Sequence, residues 1–201
     1  GLGIFPQFVY IALPNDHTYG TKPGKPTPDS MVADNDMATG IIVEAISKSQ
    51  YWDKTIIFLI EDDPQSWKGD HVEAHRSICL VVSPYVKRKY TSSVHYDIPS
   101  IYRTIMMILG IPPMNKNDAL AAPMADIFVK GTPEDKPDFT PYEAIPVDIP
   151  EELNTESSPM ASESAKLDFN RPDGVEGLGY ILWRAKKGDA EPPPYAKGID
   201  R

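Results

Sequence analysis

Over its first two thirds, the chain alternates short continuous apolar runs with stretches of helical spacing. Phe8-Val9-Tyr10-Ile11-Ala12-Leu13 stops at Pro14, Thr55 to Ile60 stops at Glu61-Asp62-Asp63-Pro64, and Ile78 to Val82 stops at Ser83-Pro84. Short apolar runs without polar alternation predict strands buried on both faces. Between the first two runs, Met37, Ile41 and Ala45, with Ile42 and Ile46, repeat at helical spacing. They predict a helix over 34–50, capped by Asp34 or Asp36. Residues 15–30, rich in Pro, Gly and Thr, read as a loop. A second helix is predicted over Ile98 to Leu109, with Asp97 as its cap and Pro99 in its first turn. Gly110 and then Pro112-Pro113 stop it.

Buried strands alternating with helices predict an α/β fold with a mostly parallel sheet and flanking helices. Right-handed crossovers would line up the strand ends along one edge, where open α/β sheets bind ligands. The pattern fades after Gly131. Two parts are therefore expected, a core over 1–131 and an irregular, Pro-rich and acidic C-terminal extension over 132–201 that packs on the core or is disordered.

Composition narrows the partners. Among 201 residues, 29 are Asp or Glu and 20 are Lys or Arg, giving a formal charge of -9. That sign disfavours nucleic acid and anionic membranes as partners. No apolar run approaches the roughly 20 residues of a membrane-spanning helix. The single cysteine, Cys79, excludes an intrachain disulfide and reads as a small buried apolar residue within its strand.

Polar chemistry gathers where the apolar runs end. Asp16 and His17 follow the first run and offer a carboxylate oxygen and an imidazole nitrogen, both of which zinc accepts; a turn in which Asn15 or Asp16 bonds its own backbone is the plainer use of the same residues. Glu61, Asp62 and Asp63 follow the second run. Three adjacent carboxylates repel one another, and a divalent cation would relieve that repulsion. His71 and His75, four apart, follow in the next polar segment, so three of the four histidines fall in two such segments. Asp34 and Asp36 read as helix caps and His95 as structural. No Gly-x-Ser-x-Gly elbow, phosphate-binding loop or paired-Cys zinc motif occurs.

In order along the chain stand Leu13-Pro14-Asn15-Asp16-His17-Thr18-Tyr19-Gly20-Thr21, then Val32-Ala33-Asp34-Asn35-Asp36, then Ile60-Glu61-Asp62-Asp63. Asp70-His71-Val72-Glu73-Ala74-His75-Arg76-Ser77 and Val82-Ser83-Pro84-Tyr85 complete the set. Together they resemble the bacterial phosphoesterase family that includes phospholipase C and acid phosphatase enzymes, within the alkaline phosphatase superfamily. The resemblance is to its C-terminal portion, as found in proteins that carry this module behind a β-propeller, and it runs from about Ile11 to Phe128.

It implies a partial alkaline phosphatase-like fold, a phosphate ester substrate, one or two divalent cations, commonly zinc, and a periplasmic or extracellular location. It further implies metal ligation by Asp16, His17, Asp62, Asp63 and one of His71 and His75. The family's Ser or Thr nucleophile and first acidic ligand stand upstream of the matched segment. The upstream part of the same polypeptide is therefore an expected partner, and this chain alone is expected to be inactive. A non-catalytic cell-surface or partner-binding relative is the alternative. A calcium-stabilised structural domain is a third reading, which the histidines disfavour.

Overall fold

A computed structural model describes residues 5–61, 77–145, 150–170, 175 and 177–191, with the backbone alone at Asp16. In order, the helices and strands are α1 (Pro28–Ser47), β1 (Ile57–Ile60), β2 (Cys79–Val82), α2 (Ile98–Leu109), α3 (Lys116–Leu120), α4 (Ala161–Ser164) and α5 (Leu178–Lys187). The architecture is mixed α/β. The chain divides into two compact units. The first comprises 1–11, 46–59 and 80–142, and the second 12–45, 60–79 and 143–201.

The first unit is built around β1, β2 and α2. Val86, Ile101, Met124 and Ile127 form its buried cluster, with Phe58, Val81, Ile98 and Ile105 packed against it. Helix α2 has the predicted bounds because its stop and start signals are local. The Asp97 carboxylate accepts from the Ser100 amide at 2.9 Å, and the Ser100 hydroxyl closes the reciprocal half of a capping box. At the other end Gly110 takes the left-handed conformation, with φ of 69°.

In the 3-10 turn Ala125–Ile127, Asp126 ties three hydroxyl groups. Its carboxylate accepts from Ser92 at 2.6 Å, Tyr96 at 2.6 Å and Tyr90 at 2.9 Å. Its carbonyl accepts from the Lys87 ammonium at 2.7 Å, which also lies over the Tyr90 ring.

The parallel sheet is not what forms. Among the described residues the sheet has two strands, β1 and β2, and they run antiparallel. The Ser77 hydroxyl donates to the Glu61 carbonyl beyond one end of the pair, and the Ser83 hydroxyl donates to the Thr55 carbonyl beyond the other. Residues 8–13 form no strand. Apolar runs read as buried on both faces are open instead, with Phe8 59%, Tyr10 82%, Ile78 63% and Leu80 57% exposed. Cys79 is exposed too. The physical reason is a lack of neighbours. A strand is buried on both faces only within a wider sheet covered by helices, and two strands cannot supply that cover.

In the second unit, α1 begins six residues before its predicted start. Thr27 caps it, its hydroxyl accepting from the Ser30 amide at 3.2 Å, and Pro28 supplies a preset first turn. Asp34 and Asp36 therefore lie inside the helix rather than capping it. Met31 and Val43 are buried, while the expected stripe residues Met37 and Ile41 are exposed. Residues 132–142 of the tail belong to the first unit; the described part from 143 onward packs in the second, where Ala161, Val175, Leu178 and Ile181 are buried. No helix among the described residues is long and apolar enough to cross a membrane.

The Asp126 cluster contributes to the pH dependence of the first unit, beside Asp97, Asp118 and Asp138, whose carboxyls are also held below the ordinary value. The Ser92, Tyr96 and Tyr90 hydroxyls hold the Asp126 carboxyl below the ordinary value, so the stability it contributes is present above about pH 4 and lost as pH falls further. Burial, and then the bond to Asp126, push Tyr96 from 10.0 up to about 12. That contribution is complete below pH 10 and lost as pH rises toward about 12. Tyr96→Phe is expected to lower the urea midpoint at pH 7, flatten the alkaline loss and weaken the acid one. Urea melts across pH check this, and profiles parallel to wild type would contradict it.

Candidate metal-ligand turn

Asp16 and His17 close a 3-10 turn, Pro14–His17, directly after the exposed apolar segment. Helix α1 fixes the approach to this turn. The Asn35 side chain donates to the Leu13 carbonyl at 3.0 Å, and the Asn15 side chain donates to the Asp34 carboxylate. Asp34 thus acts as an acceptor for the turn, a role its sequence position did not reveal.

Beyond the turn, Thr18 is buried and takes a φ of 49°. Positive φ is uncommon for a β-branched residue and is held only where its surroundings over-determine it. The Thr18 hydroxyl accepts from the Gly20 amide at 3.1 Å. Residues 19–27 are then gripped by the tail. The fully buried Ser164 hydroxyl donates to the Tyr19 carbonyl at 3.1 Å and accepts from the Thr21 amide at 3.0 Å. The buried Asn154 side-chain amide lies within hydrogen-bond distance of the carbonyls of Gly20 (3.2 Å), Lys25 (3.1 Å) and Pro26 (2.9 Å). Main-chain bonds run from Gly24 N to Asn154 O, Asn154 N to Lys25 O and Thr27 N to Glu152 O, each 2.8 Å. The turn is thus anchored by α1 through Leu13 and Asn15 and by the tail through the residues from Tyr19 onward.

Beside the turn opens a hollow of about 490 Å³ whose lining includes Asn15, Tyr19, Lys25, Met31 and Asp34. The Lys25 ammonium lies 4.6 Å from the Tyr19 ring centre, a geometry in which the ring's electron-rich face attracts the cation.

His17 is exposed, with its imidazole open to solvent. The donor chemistry of Asp16 and His17 fits zinc, which accepts oxygen and nitrogen, but two donors do not complete a tetrahedral shell. Asp62, Asp63, His71 and His75, the other expected ligands, lie outside the described residues. Among the described residues no three His, Cys, Asp or Glu side chains gather as a cation site. The residues that sequence reasoning missed are Asn154, Ser164 and Gly20. Their importance comes from bonds across 128 to 145 positions, which no local pattern announces.

Gly20 gives a direct probe. A Cβ there would meet the Ser164 hydroxyl at 2.6 Å and a Leu178 methyl at 3.1 Å, at a φ of +57°. Gly20→Ala is expected to cost roughly 2–4 kcal/mol, combining left-handed strain with overpacking. Gly24 has a φ of +75° but nothing within 4 Å of an added Cβ, so Gly24→Ala should cost only about 1–2 kcal/mol. Denaturant melts of the two variants check the difference, and equal costs would show that the Ser164 contact is not tight.

No family model matches the chain, and a search of the curated proteins finds no significant match either.

Proposed function

We propose that the chain is part of a metal-dependent phosphoesterase and that it supplies metal ligands from residues that follow its apolar runs. The observation that carries the reading is the Asp16–His17 turn. It holds two donors of zinc chemistry, is braced on both sides, and leaves the imidazole facing solvent. The ordered motif set quoted above supports the same reading, with Asp62, Asp63 and one of His71 and His75 as the remaining ligands.

A divalent cation, most simply zinc, would act as a Lewis acid toward a phosphoryl oxygen. The chain's own part is to hold and orient. Asp16 and His17 bind, while the bonds from Asn15 to Asp34 and from Asn35 to Leu13 keep the turn from swinging away. Lys25, drawn toward Tyr19 at the hollow, offers a positive charge to an anionic substrate.

The nucleophile is assigned to a Ser or Thr upstream of this segment, and the upstream part of the polypeptide to completion of the sheet. The exposed apolar run at Phe8, Val9, Tyr10 and Ile11 supports this, because such a run is a surface made for cover. The same exposed run favours a second reading, a non-catalytic module that covers this surface with a partner. A periplasmic or extracellular setting follows from the resemblance alone.

Zinc titration with a competing chelator tests the ligand assignment. His17→Ala is expected to weaken zinc binding by about tenfold or more, and Asp16→Asn by a similar factor. The 201-residue chain should not hydrolyse p-nitrophenyl phosphate, whereas a longer form carrying the upstream Ser or Thr should, and should lose that activity to the chelator. Zinc affinity unchanged in both variants would remove the assignment. A zinc-binding long form without turnover would favour the partner-binding reading.

A further inference from the structure

The tail segment that sequence patterning leaves featureless holds the backbone immediately beyond the candidate ligand turn. We propose that Asn154 and Ser164 are positioning residues for Asp16 and His17. They act through the Thr18–Thr27 backbone and set the affinity of the turn for a divalent cation. The inference rests on the reading of Asp16 and His17 as ligands.

Three features carry it. The first is continuity. Tyr19, Gly20 and Thr21 are consecutive, and each has a main-chain group bonded to Ser164 or Asn154. They begin two residues after His17, and the residue between, Thr18, is buried with a positive φ. A strained residue between a ligand and a clamp passes displacement of the clamp to the ligand, since its conformation persists only while its neighbours impose it.

The second is burial. Ser164 is fully buried and Asn154 nearly so, and the bonds from the Thr21 amide to Ser164 and from Asn154 to the Gly20 carbonyl are themselves buried, so those two main-chain groups have no ready access to water. Removing either side chain leaves main-chain groups unpaired rather than rehydrated. The third is closeness of fit. Gly20 lies so near Ser164 and Leu178 that no Cβ fits without movement. The loop has one seat against the tail, so its placement is discrete rather than graded.

Partners that orient metal ligands without touching the metal commonly govern affinity by about 10–100-fold. Asn154 and Ser164 fall in that class, at one remove through the backbone.

Two readouts on the 201-residue chain test this in wild type, Asn154→Ala and Ser164→Ala. The first is zinc affinity by chelator competition. The second is amide hydrogen exchange without metal, with α2 of the other unit as internal reference. Both variants are expected to bind zinc about tenfold or more weakly, with exchange raised at Gly20, Thr21 and Gly24 and unchanged in α2. Gly20→Ala should show the same pair of effects, and adding Ser164→Ala should recover part of the loss by removing the clashing hydroxyl. That recovery is not expected of two independent destabilising changes.

Unchanged zinc affinity in variants with raised local exchange would overturn the positioning role while leaving the ligands standing. Exchange raised equally in α2 would reduce both residues to general stability and overturn it as well. If wild type binds no zinc, the ligand reading falls. The affinity role falls with it, and exchange at the His17 and Thr18 amides then reports only whether the tail holds the turn.

Discussion

Much of the second unit depends on how the main chain between Thr18 and Thr27 satisfies its hydrogen bonds. That segment has neither helix nor sheet to absorb its carbonyl and amide groups. A buried main-chain group left unpaired costs as much as a lost hydrogen bond. Ser164, Asn154 and the 152–154 backbone provide the partners. Their placement in turn requires Leu178 and Ile181 beneath Gly20. Without that arrangement, Thr18 would have no reason to hold a positive φ, and the Asp16–His17 turn would be fixed on its helix side alone.

The first unit shows the opposite situation, in which apolar surface outruns the structure available to cover it. Its cluster around Val86, Ile101, Met124 and Ile127 is buried, and α2 is well capped. Yet the run at 8–11 is exposed. Apolar area left in water forgoes roughly 25 cal/mol per Å². A larger sheet that took up this run would recover that term. On the reading proposed above, such a sheet would form with upstream chain, and the ligand set would be divided between segments in the same way.

The sequence was most legible where the signals are local. Asp97, Ser100 and Gly110 mark both ends of α2 within a few residues of chain, and the helix has the predicted bounds. For α1, the apolar stripe drew attention to Met37 and Ile41, whereas Thr27 and Pro28 set the start, and the Thr-Pro pair was absorbed into a loop rich in both residues. Hydrophobicity found β1 and β2 but not their direction or exposure, because these depend on which strands lie beside them. At the candidate site, the Asp16–His17 pair stood out by residue type. Its clamp did not, since an asparagine and a serine in a polar tail look like solvent-exposed loop until the chain is folded. The other expected ligands, Asp62, Asp63, His71 and His75, lie outside the described residues.

Whether Asp16 and His17 bind a cation is the question on which the functional reading stands. X-ray absorption at the zinc edge of the zinc-loaded protein addresses it most directly. A first shell of nitrogen and oxygen donors is expected, with an imidazole contribution that falls by one ligand in His17→Ala. A shell of water alone, one containing the Cys79 sulfur, or one unaltered by loss of His17 would contradict it.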